Sequence, residues 1–340
     1  MKKIFKFAII LLIAVIIISV WWYNFKLSAR SSNNQAVSFI VESGSSKSNI
    51  ADQLFKEKII NSSLAFKIHF YFNSDKSIQA GEYIFEKNSK IKDVITQLEN
   101  GVVSDKEFSV LIREGLNAKE INEYLKTKGY LKDDSFLTLA QMPVKNLPKD
   151  LTNFSFIGLI PQNNDLEGYL FPDTYRLYKD FTASDLIKKM LANFDNKVDS
   201  KMRDSISSSG KSLNDIVIMA SILEKEVRSE QDMKIASGIF WDRIKIGQAL
   251  QSCATLGYVL GVNKAQYTYE DTQIKSTYNT YKNPGLTPGP ISNPGLKSIG
   301  AAILPIKTDY NYFLSRPDTG ETVFSKTLDE HNAAKAKYLK

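Results

Sequence analysis

The stretch Ile216-Val-Ile-Met-Ala-Ser-Ile-Leu-Glu224-Lys-Glu226 places eight consecutive uncharged residues directly before a carboxylate. Its apolar residues point to all sides of a helix instead of forming one stripe, which is typical of a helix buried in a core. Ser212 and Asp215 precede it with the spacing of an N-terminal capping box, so we expect the helix to begin next to Ser212. The sequence therefore predicts a buried central helix that carries Glu224 out of the core.

A carboxyl group in that position has a possible chemical use. Apolar surroundings disfavour the charged form and raise the pKa of a carboxyl group. A protonated glutamate in a cleft can act as a general acid toward a leaving-group oxygen. The alternative interpretation is that Glu224 begins the solvated end of the helix and pairs with Lys225 or Lys188. Spacing alone leaves both interpretations open.

Composition excludes several classes of protein. A chain of 340 residues with 43% hydrophobic residues is long enough for two or three domains with sizeable cores. The net charge of +7 is spread along the chain without a long basic run, so we expect no nucleic-acid partner. One cysteine, Cys253, permits no internal disulfide, and two distant histidines, His69 and His331, argue against a metal site or a Ser-His triad. We expect no metal and no cofactor.

The N-terminus predicts a membrane anchor. Residues 1–6 are basic and are expected to form a cytoplasmic tail, whereas Phe7 to Tyr23 carry no charge. Trp21, Trp22 and Tyr23 match the aromatic belt of the far interface. We therefore expect a transmembrane helix over residues 7–25, with the rest of the chain outside the cytoplasm. A cleaved signal peptide is the competing interpretation, but Leu27-Ser-Ala29 is a weak cleavage site.

An internal repeat follows a short polar tether over residues 26–36. Gly44, Ile50 and Leu54 recur 71 residues later as Gly115, Ile121 and Leu125. Each copy is interpreted as a strand, a glycine turn and a helix. We expect a first module over residues 37–105, a second repeat-like module with a linker over 106–160, and a catalytic domain over 161–340. The first module, with strand-helix-helix-strand order, resembles LysM-like glycan-binding modules; a plain spacer is the alternative.

Six motifs in order resemble the endolytic murein transglycosylases, the MltG or YceG-like family. The fold class expected is α+β: a transmembrane helix, small LysM-like modules and a mixed α+β catalytic domain around the buried central helix. The motifs are Leu166-Glu-Gly-Tyr-Leu-Phe-Pro-Asp-Thr-Tyr175, Met219-Ala-Ser-Ile-Leu-Glu-Lys-Glu226, Leu250-Gln-Ser252, Tyr278-Asn-Thr-Tyr281, Gly285-Leu-Thr-Pro-Gly-Pro-Ile-Ser-Asn-Pro-Gly295 and Thr327-Leu-Asp-Glu-His331-Asn332.

The resemblance implies a reaction and a set of site residues. Such enzymes cut the β-1,4 bond between N-acetylmuramic acid and N-acetylglucosamine and leave a 1,6-anhydro end. Glu224 matches the catalytic acid of the family, and one such carboxylate serves both half-reactions. The residues expected to contact substrate are Glu167, Tyr169, Gln251, Ser252, Asn279, Thr280 and Tyr281. We expect Glu226, two residues and about 200° around the helix from Glu224, to lie outside the cleft.

The sequence departs from the family pattern at two places, and two functions other than the lyase stay open. Asp242 and the pair Cys253-Ala254 stand where the family has Asn and Asp-Pro, so glycan preference could differ. One alternative is a muramidase-type hydrolase with Glu167 as the second carboxylate. The other is a non-catalytic, glycan-binding scaffold. The partners expected are peptidoglycan strands, the bacterial inner membrane and, as a further possibility, cell-wall synthases.

Overall fold

The computed structural model describes residues 2–32, 35–42, 44–73, 77–101, 107–262, 264 and 266–339. Residues 33 and 34 of the predicted tether, Ser43 of the first repeat copy, and residues 102–106 around the predicted boundary between modules lie outside these ranges. The architecture is mixed α+β with small two-stranded sheets, which confirms the predicted class at that level. Contacts divide the chain into two compact units, residues 1–108 and 109–340.

The first unit begins with a long apolar helix and continues as a small α/β module. Its elements are α1 (Lys2–Ser28), β1 (Val37–Val41), α2 (Lys47–Lys56), α3 (Ser63–Phe72), β2 (Gly81–Phe85) and α4 (Ile91–Asn100). Within α1, residues Ile9–Ser28 are long and apolar enough to cross a membrane, and none of them is fully buried. The helix thus fits a single-pass membrane anchor, as the sequence predicted.

The module of the first unit has its own core. β1 and β2 pair antiparallel with Val37 opposite Phe85. The helices close over this pair, and Leu54, Phe66 and Tyr83 are fully buried between them. The order strand, helix, helix, strand agrees with the order predicted from the sequence.

The second unit contains the second repeat copy together with all the later motifs. Its elements are β3 (Glu107–Leu111), α5 (Ala118–Thr127), α6 (Ser135–Ala140), β4 (Thr174–Tyr178), α7 (Ala183–Lys197), α8 (Ser200–Ser208), α9 (Leu213–Glu226), α10 (Glu230–Lys245), α11 (Cys253–Leu260), α12 (Tyr269–Thr272), α13 (Leu296–Ile303), β5 (Tyr312–Ser315), β6 (Thr322–Ser325) and α14 (Leu328–Tyr338). Three short 3₁₀ turns lie between α6 and β4, and β5 and β6 pair antiparallel as a hairpin.

The second repeat copy does not stand apart from the catalytic segment. β3 pairs with β4, which lies beyond the proline-containing loop where the sequence predicted a domain boundary. The amide of Ile112 also donates to the carbonyl oxygen of Asp173. Residues 109–160 therefore belong to the same compact unit as residues 161–340. Pro and Gly in a loop mark where a chain turns, but they carry no information about which segments pack together afterwards.

The helix α9 is the stretch quoted at the outset. Ser212 caps it, and a capping box with Asp215 is formed in both directions at 3.1 Å. Leu213 and every residue from Ile216 to Leu223 are buried. Helices α8, α10, α11 and α13 all pack against α9.

Candidate active site

A cavity of about 820 Å³ opens at the C-terminal end of α9. Its volume falls within the range that small-molecule and substrate clefts usually have. Of the eight residues predicted for the site, Glu224, Gln251, Ser252 and Tyr281 line this cavity. The other four are not among its described lining residues and are discussed below.

Two hydrogen bonds hold the carboxylate of Glu224 in the wall of the cavity. Its Oε2 atom accepts from the backbone amide of Gly295 at 2.9 Å and from the hydroxyl of Ser298 at 2.7 Å. Gly295 is the N-cap of α13, so the partial positive charge of that helix end also faces the carboxylate. Among the described residues no donor is paired with Oε1. The surroundings are thus more polar than the apolar walls that the sequence predicted.

The alternative role for Glu224, an ion pair at a solvated helix end, is not what the structure contains. The ammonium group of Lys225 donates to the carbonyl oxygen of Gly115 at 3.1 Å. No salt bridge joins Glu224 to Lys225 or to Lys188 within the described part of the chain. The carboxylate is therefore oriented by neutral donors from a distant segment.

Buried polar groups form hydrogen bonds with the segment from Gly285 to Gly295, which supplies one of these donors. The Ser221 hydroxyl, one turn before Glu224 on α9, accepts from the amide of Ile291 at 3.0 Å. The Asn293 side chain accepts from the amides of Gly168 and Leu170 and donates to Glu167 and Leu116. Asn293 is fully buried, so these bonds are protected from water. They set the position of Gly295 beside Glu224.

The second repeat copy contributes a carboxylate that sequence reasoning missed. Glu114 lies against Gly295: a Cβ atom at that glycine would come within 1.9 Å of Glu114 Oε1. Burial raises the pKa of Glu114, and the charge of Glu224 raises it further. The only signal in the sequence was its place beside Gly115 in the repeat. A side chain at position 295 would require the Glu114 carboxylate to move.

Glu226 lies in the same cavity as Glu224, so the expectation that it would lie outside is wrong. Because α9 ends at Glu226, the cavity wraps around the helix end and reaches two opposite faces. Glu226 Oε1 accepts from the Ser252 hydroxyl and from the amide of Ala254 at 3.1 Å. Burial raises the pKa of Glu226, against the effect of these donors. Its contacts fasten the start of α11 to the end of α9.

Gln251 and Ser252 are held in place by Asn279 and Thr280. Gln251 has a left-handed φ of 53°, and its amide donates to the carbonyl oxygen of Thr280 at 3.0 Å. The Thr280 hydroxyl accepts from the amide of Ser252, and Asn279 closes the turn by accepting from the amide of Tyr281. Asn279 and Thr280 are completely buried. They position the residues that line the cavity and do not present their side chains to it.

Glu167 and Tyr169 lie in the protein core and not in the cleft. Both Glu167 oxygens accept from the amide of Ala118, at 2.9 and 3.2 Å, and burial raises the Glu167 pKa to about 8. Tyr169 is fully buried between Phe156 and Phe194 and donates to Asn214. The prediction that Tyr169 stacks on a sugar is therefore wrong. An aromatic residue in a motif carries no sign of whether its ring faces the core or a cleft.

The cavity carries excess positive charge. Its basic lining residues are Lys225, Arg228, Arg243, Lys264, Arg316 and Lys335, against two carboxylates. Lys264 is paired with Asp271, and Arg316 with Asp318 and Glu321, so the excess comes from the other four. Arg243 is almost fully buried and donates to the carbonyl oxygens of Leu250 and Asn311, so it mainly supports the wall. Such a lining favours an anionic ligand.

Cys253 and His331 also line the cavity. The Cys253 thiol lies 3.1 Å from the Tyr281 hydroxyl, and burial raises the pKa of Cys253. His331 stacks on Tyr312, and burial lowers its pKa, so its ring is neutral near pH 7. Its Nδ1 atom is buried without a hydrogen-bond partner among the described residues. No group of three or more His, Cys, Asp or Glu residues in the described ranges is arranged to hold a metal ion.

Comparison with known proteins identifies the relatives of this chain. A model of the YceG-like family matches residues 39–337. An endolytic murein transglycosylase of Bacillus subtilis is 36% identical over 311 residues, which cover 89% of this chain and 85% of that protein. One of Streptococcus pneumoniae is 28% identical over 322 residues, 88% of this chain and 58% of that longer protein.

A solved structure supports the same relationship. The crystal structure of a YceG-like protein from Listeria monocytogenes matches with a TM-score of 0.56 and 32% sequence identity. The match covers 88% of this chain and 99% of that one. Since the family match spans both compact units and includes the cavity, the chain belongs to the YceG-like family.

Proposed function

We propose that this protein is a membrane-anchored lytic transglycosylase that cuts peptidoglycan strands internally, with Glu224 as its catalytic acid and base. One observation carries the proposal: the Glu224 carboxylate, near the end of a buried helix, is fixed by Gly295 and Ser298 in the wall of a large cleft. Relatives that match most of the chain are named endolytic murein transglycosylases.

The reaction needs one proton carrier. Protonated Glu224 gives its proton to the glycosidic oxygen as the bond from C1 of N-acetylmuramic acid to that oxygen breaks, which leaves an oxocarbenium-like sugar. The resulting Glu224 carboxylate takes the proton of the 6-hydroxyl of the same sugar. The 6-oxygen then bonds to C1, and a 1,6-anhydro end forms. The proton that left Glu224 has been replaced, so the enzyme is ready for another turnover.

The hydrolase alternative requires a second carboxylate that activates water or attacks the sugar. Glu167 was the candidate for that role, but it is buried and bonded to the start of α5. Glu226 lines the cleft, yet its Oε1 atom is engaged by Ser252 and Ala254. Glu114 lies near Glu224 but is not among the described lining residues of the cavity, and burial together with the charge of Glu224 raises its pKa. These observations favour the one-carboxylate lyase over the hydrolase.

The basic lining fits the anionic character of this substrate. The peptide stems of peptidoglycan carry carboxylates, and Arg228 and Lys335 line the same cleft as Glu224. The basic residues Lys2, Lys3 and Lys6 before the apolar part of α1 support a chain with its N-terminus in the cytoplasm and the cleft outside the inner membrane. The first unit acts there as a LysM-like glycan-binding module, and cell-wall synthases are the protein partners that this location would bring within reach.

The central test compares Glu224→Gln with Glu226→Gln in the full-length protein on purified peptidoglycan. Glutamine keeps the size and the acceptor oxygen of each side chain but removes the titratable proton. Glu224→Gln should lower cleavage by about 10²–10⁴-fold or more, because one group serves both steps. Glu226→Gln should retain more activity, because its role is to hold Ser252 and α11 in position.

Mass spectrometry of the products separates the competing functions. Anhydro ends support the lyase, whereas reducing ends support the hydrolase. Intact glycan with the wild-type protein would favour the scaffold. A reversed ranking, with Glu226 indispensable and Glu224 dispensable, would show that the catalytic residue has been wrongly assigned.

A further inference from the structure

The C-terminal end of α3 in the first unit carries two adjacent aromatic side chains that are almost fully exposed. Tyr71 is 79% exposed and Phe72 is 78% exposed, and their rings meet edge to face at 5.4 Å. Isolated exposed apolar side chains are common on protein surfaces. Two large adjacent rings at one protruding helix end are less common, and such clusters mark interaction surfaces.

The direction of α3 relative to the anchor helix follows from two contacts. Just before α3 begins, the Asn61 side chain donates to the carbonyl oxygen of Arg30 at 3.1 Å. Near the end of α3, His69 lies 3.3 Å from the Tyr23 hydroxyl. The chain number rises from 61 to 69 along α3 while it falls from 30 to 23 along the anchor. The helix α3 therefore runs antiparallel to the end of α1, back toward the membrane-spanning segment.

This direction sets the level of the aromatic pair. Tyr71 and Phe72 follow His69 by two and three residues, so they lie about 3–4.5 Å farther along the same axis. The same distance along α1, measured from Tyr23 toward the N-terminus, ends near Trp21. Trp21 is 68% exposed. The rings at the end of α3 are thus at the level of the aromatic residues that end the apolar part of α1.

The junction between α1 and the module is well fastened. Leu27 packs against the core of the first unit, and the amide of Ser31 donates to the carbonyl oxygen of Ser89 at 2.9 Å. His69 also contacts Glu99 of α4 at 3.0 Å. Several independent contacts therefore fix the orientation of α3 relative to the anchor, instead of one flexible side chain.

We propose that Tyr71 and Phe72 insert into the head-group region of the bilayer next to α1, so that the first unit rests on the membrane surface. The proposal rests on the membrane anchoring of α1 in the proposed function, but not on glycan cleavage. Aromatic side chains are enriched at membrane interfaces because their rings suit the boundary between hydrocarbon and water. The occupant of this surface is lipid, which α1 already brings to the same level.

The test uses full-length protein in nanodiscs of phosphatidylethanolamine and phosphatidylglycerol. In a Cys253→Ser background, a single thiol is introduced by Phe72→Cys or by Leu64→Cys and labelled with an environment-sensitive fluorophore. Leu64 is the matched control: it is an exposed apolar residue of the same helix, 57% exposed, near the end that faces away from the membrane. It lies eight residues before Phe72, which is about 12 Å along the helix.

Quenching by lipids that carry a nitroxide near the head group gives the answer. We expect a large loss of fluorescence at position 72 and little at position 64. Equal quenching at the two positions, or stronger quenching at 64, would overturn the proposal. Tyr71→Cys repeats the measurement should the change at Phe72 disturb the fold.

A double variant, Tyr71→Ser with Phe72→Ser, distinguishes lipid from glycan as the occupant. Aromatic rings also stack on sugars, so binding of the purified variant to isolated sacculi is measured beside wild type. The membrane contact is supported if the double variant binds sacculi as well as wild type does and if the label at position 72, in protein that keeps Tyr71, is quenched by the lipid. Loss of binding to sacculi without lipid quenching at position 72 would assign the surface to glycan and overturn the proposal. Cleavage activity is recorded separately, so a failure of the proposed reaction would not be mistaken for a failure of membrane contact.

Discussion

The two copies of the repeat have similar local structures and different surroundings. In each copy a strand leads to a left-handed glycine, with φ of 84° at Gly44 and 77° at Gly115, and then to a helix. The matching residues of α2 and α5 are buried in both copies. However, β1 pairs with β2 of its own module, whereas β3 pairs with β4 from a segment more than sixty residues later.

This difference determines which copy lies beside Glu224. A Cβ atom at Gly44 would meet nothing within 4 Å, whereas one at Gly115 would lie 3.4 Å from Cγ of Glu224. The carbonyl oxygen of Gly115 also accepts from Lys225. The same local motif is therefore a free turn in one unit and part of the wall behind Glu224 in the other. The partners of a motif, more than its own sequence, decide its role.

The largest expected effect comes from deleting each copy in turn. Removing residues 37–105 should leave the thermal unfolding transition of residues 109–340 in place and weaken retention on polymeric glycan. Removing residues 109–131 should abolish that transition, because it removes β3, α5 and the groups that contact Glu167 and Glu224. Calorimetry and a sacculus pull-down measure both outcomes. Unchanged retention after the first deletion would mean that the first unit is a plain spacer.

A smaller and matched effect is expected from Ile121→Ala and Ile50→Ala. Both side chains are buried, with exposures of 0% and 2%, so each change should cost about 2–5 kcal/mol of unfolding free energy. Ile121→Ala should destabilise the unit that contains the cleft, and Ile50→Ala only the first unit. Denaturant titration followed by separate probes in each unit tests this. Equal loss in both units from either variant would show that the two fold as one.

Burial of Glu167 beside the start of α5 should also make stability depend on pH. Its pKa in the folded state is about 8, above the ordinary value of 4.5, so the folded protein binds the extra proton between these values. The unfolding free energy should therefore fall as pH rises from about 4.5 through about 8, by on the order of a few kcal/mol.

Glu167→Gln is the control for that pH dependence, because its amide does not titrate. The difference in stability between wild type and Glu167→Gln should change over this pH window and be flat outside it. A difference that is independent of pH would contradict the assignment of a raised pKa to Glu167. The first unit, probed separately, should show no change that depends on Glu167.

The smallest expected effect is the sharpest test of the two turns. Gly115→Ala and Gly44→Ala each place a side chain at a left-handed position, at a cost of about 1–2 kcal/mol in stability. Only the turn at Gly115 contacts Glu224, so its relaxation should lower kcat by up to about 10²-fold, while Gly44→Ala leaves kcat unchanged. Steady-state kinetics on soluble glycan strands at a temperature where both variants are folded gives the comparison. Equal kcat values for the two variants would show that the Gly115 turn does not contribute to the active site.

The local features of the chain were determined by its sequence alone. The capping box of Ser212 and Asp215 was predictable because its partners are three residues apart. The apolar α1, the repeat and the hairpin of β5 and β6 likewise depend on short-range periodicity and turn chemistry. Glu224 was identified because an uninterrupted apolar run ends there and because the surrounding motifs resemble those of a known family.

The arrangement of the site was decided only by the tertiary structure. The donors to Glu224 lie 71 residues away at Gly295 and 74 residues away at Ser298, and Glu114 reaches the same place from the second repeat copy. Tyr169 was assigned to the cleft and is in the core, whereas Glu226 was assigned to the outside and lines the cleft. Neither orientation is encoded by residue type or spacing, because each depends on which helices pack around the end of α9. Long-range packing decides which side chains of a helix face the core and which face the cleft. In this protein it placed Glu226 in the same cleft as Glu224.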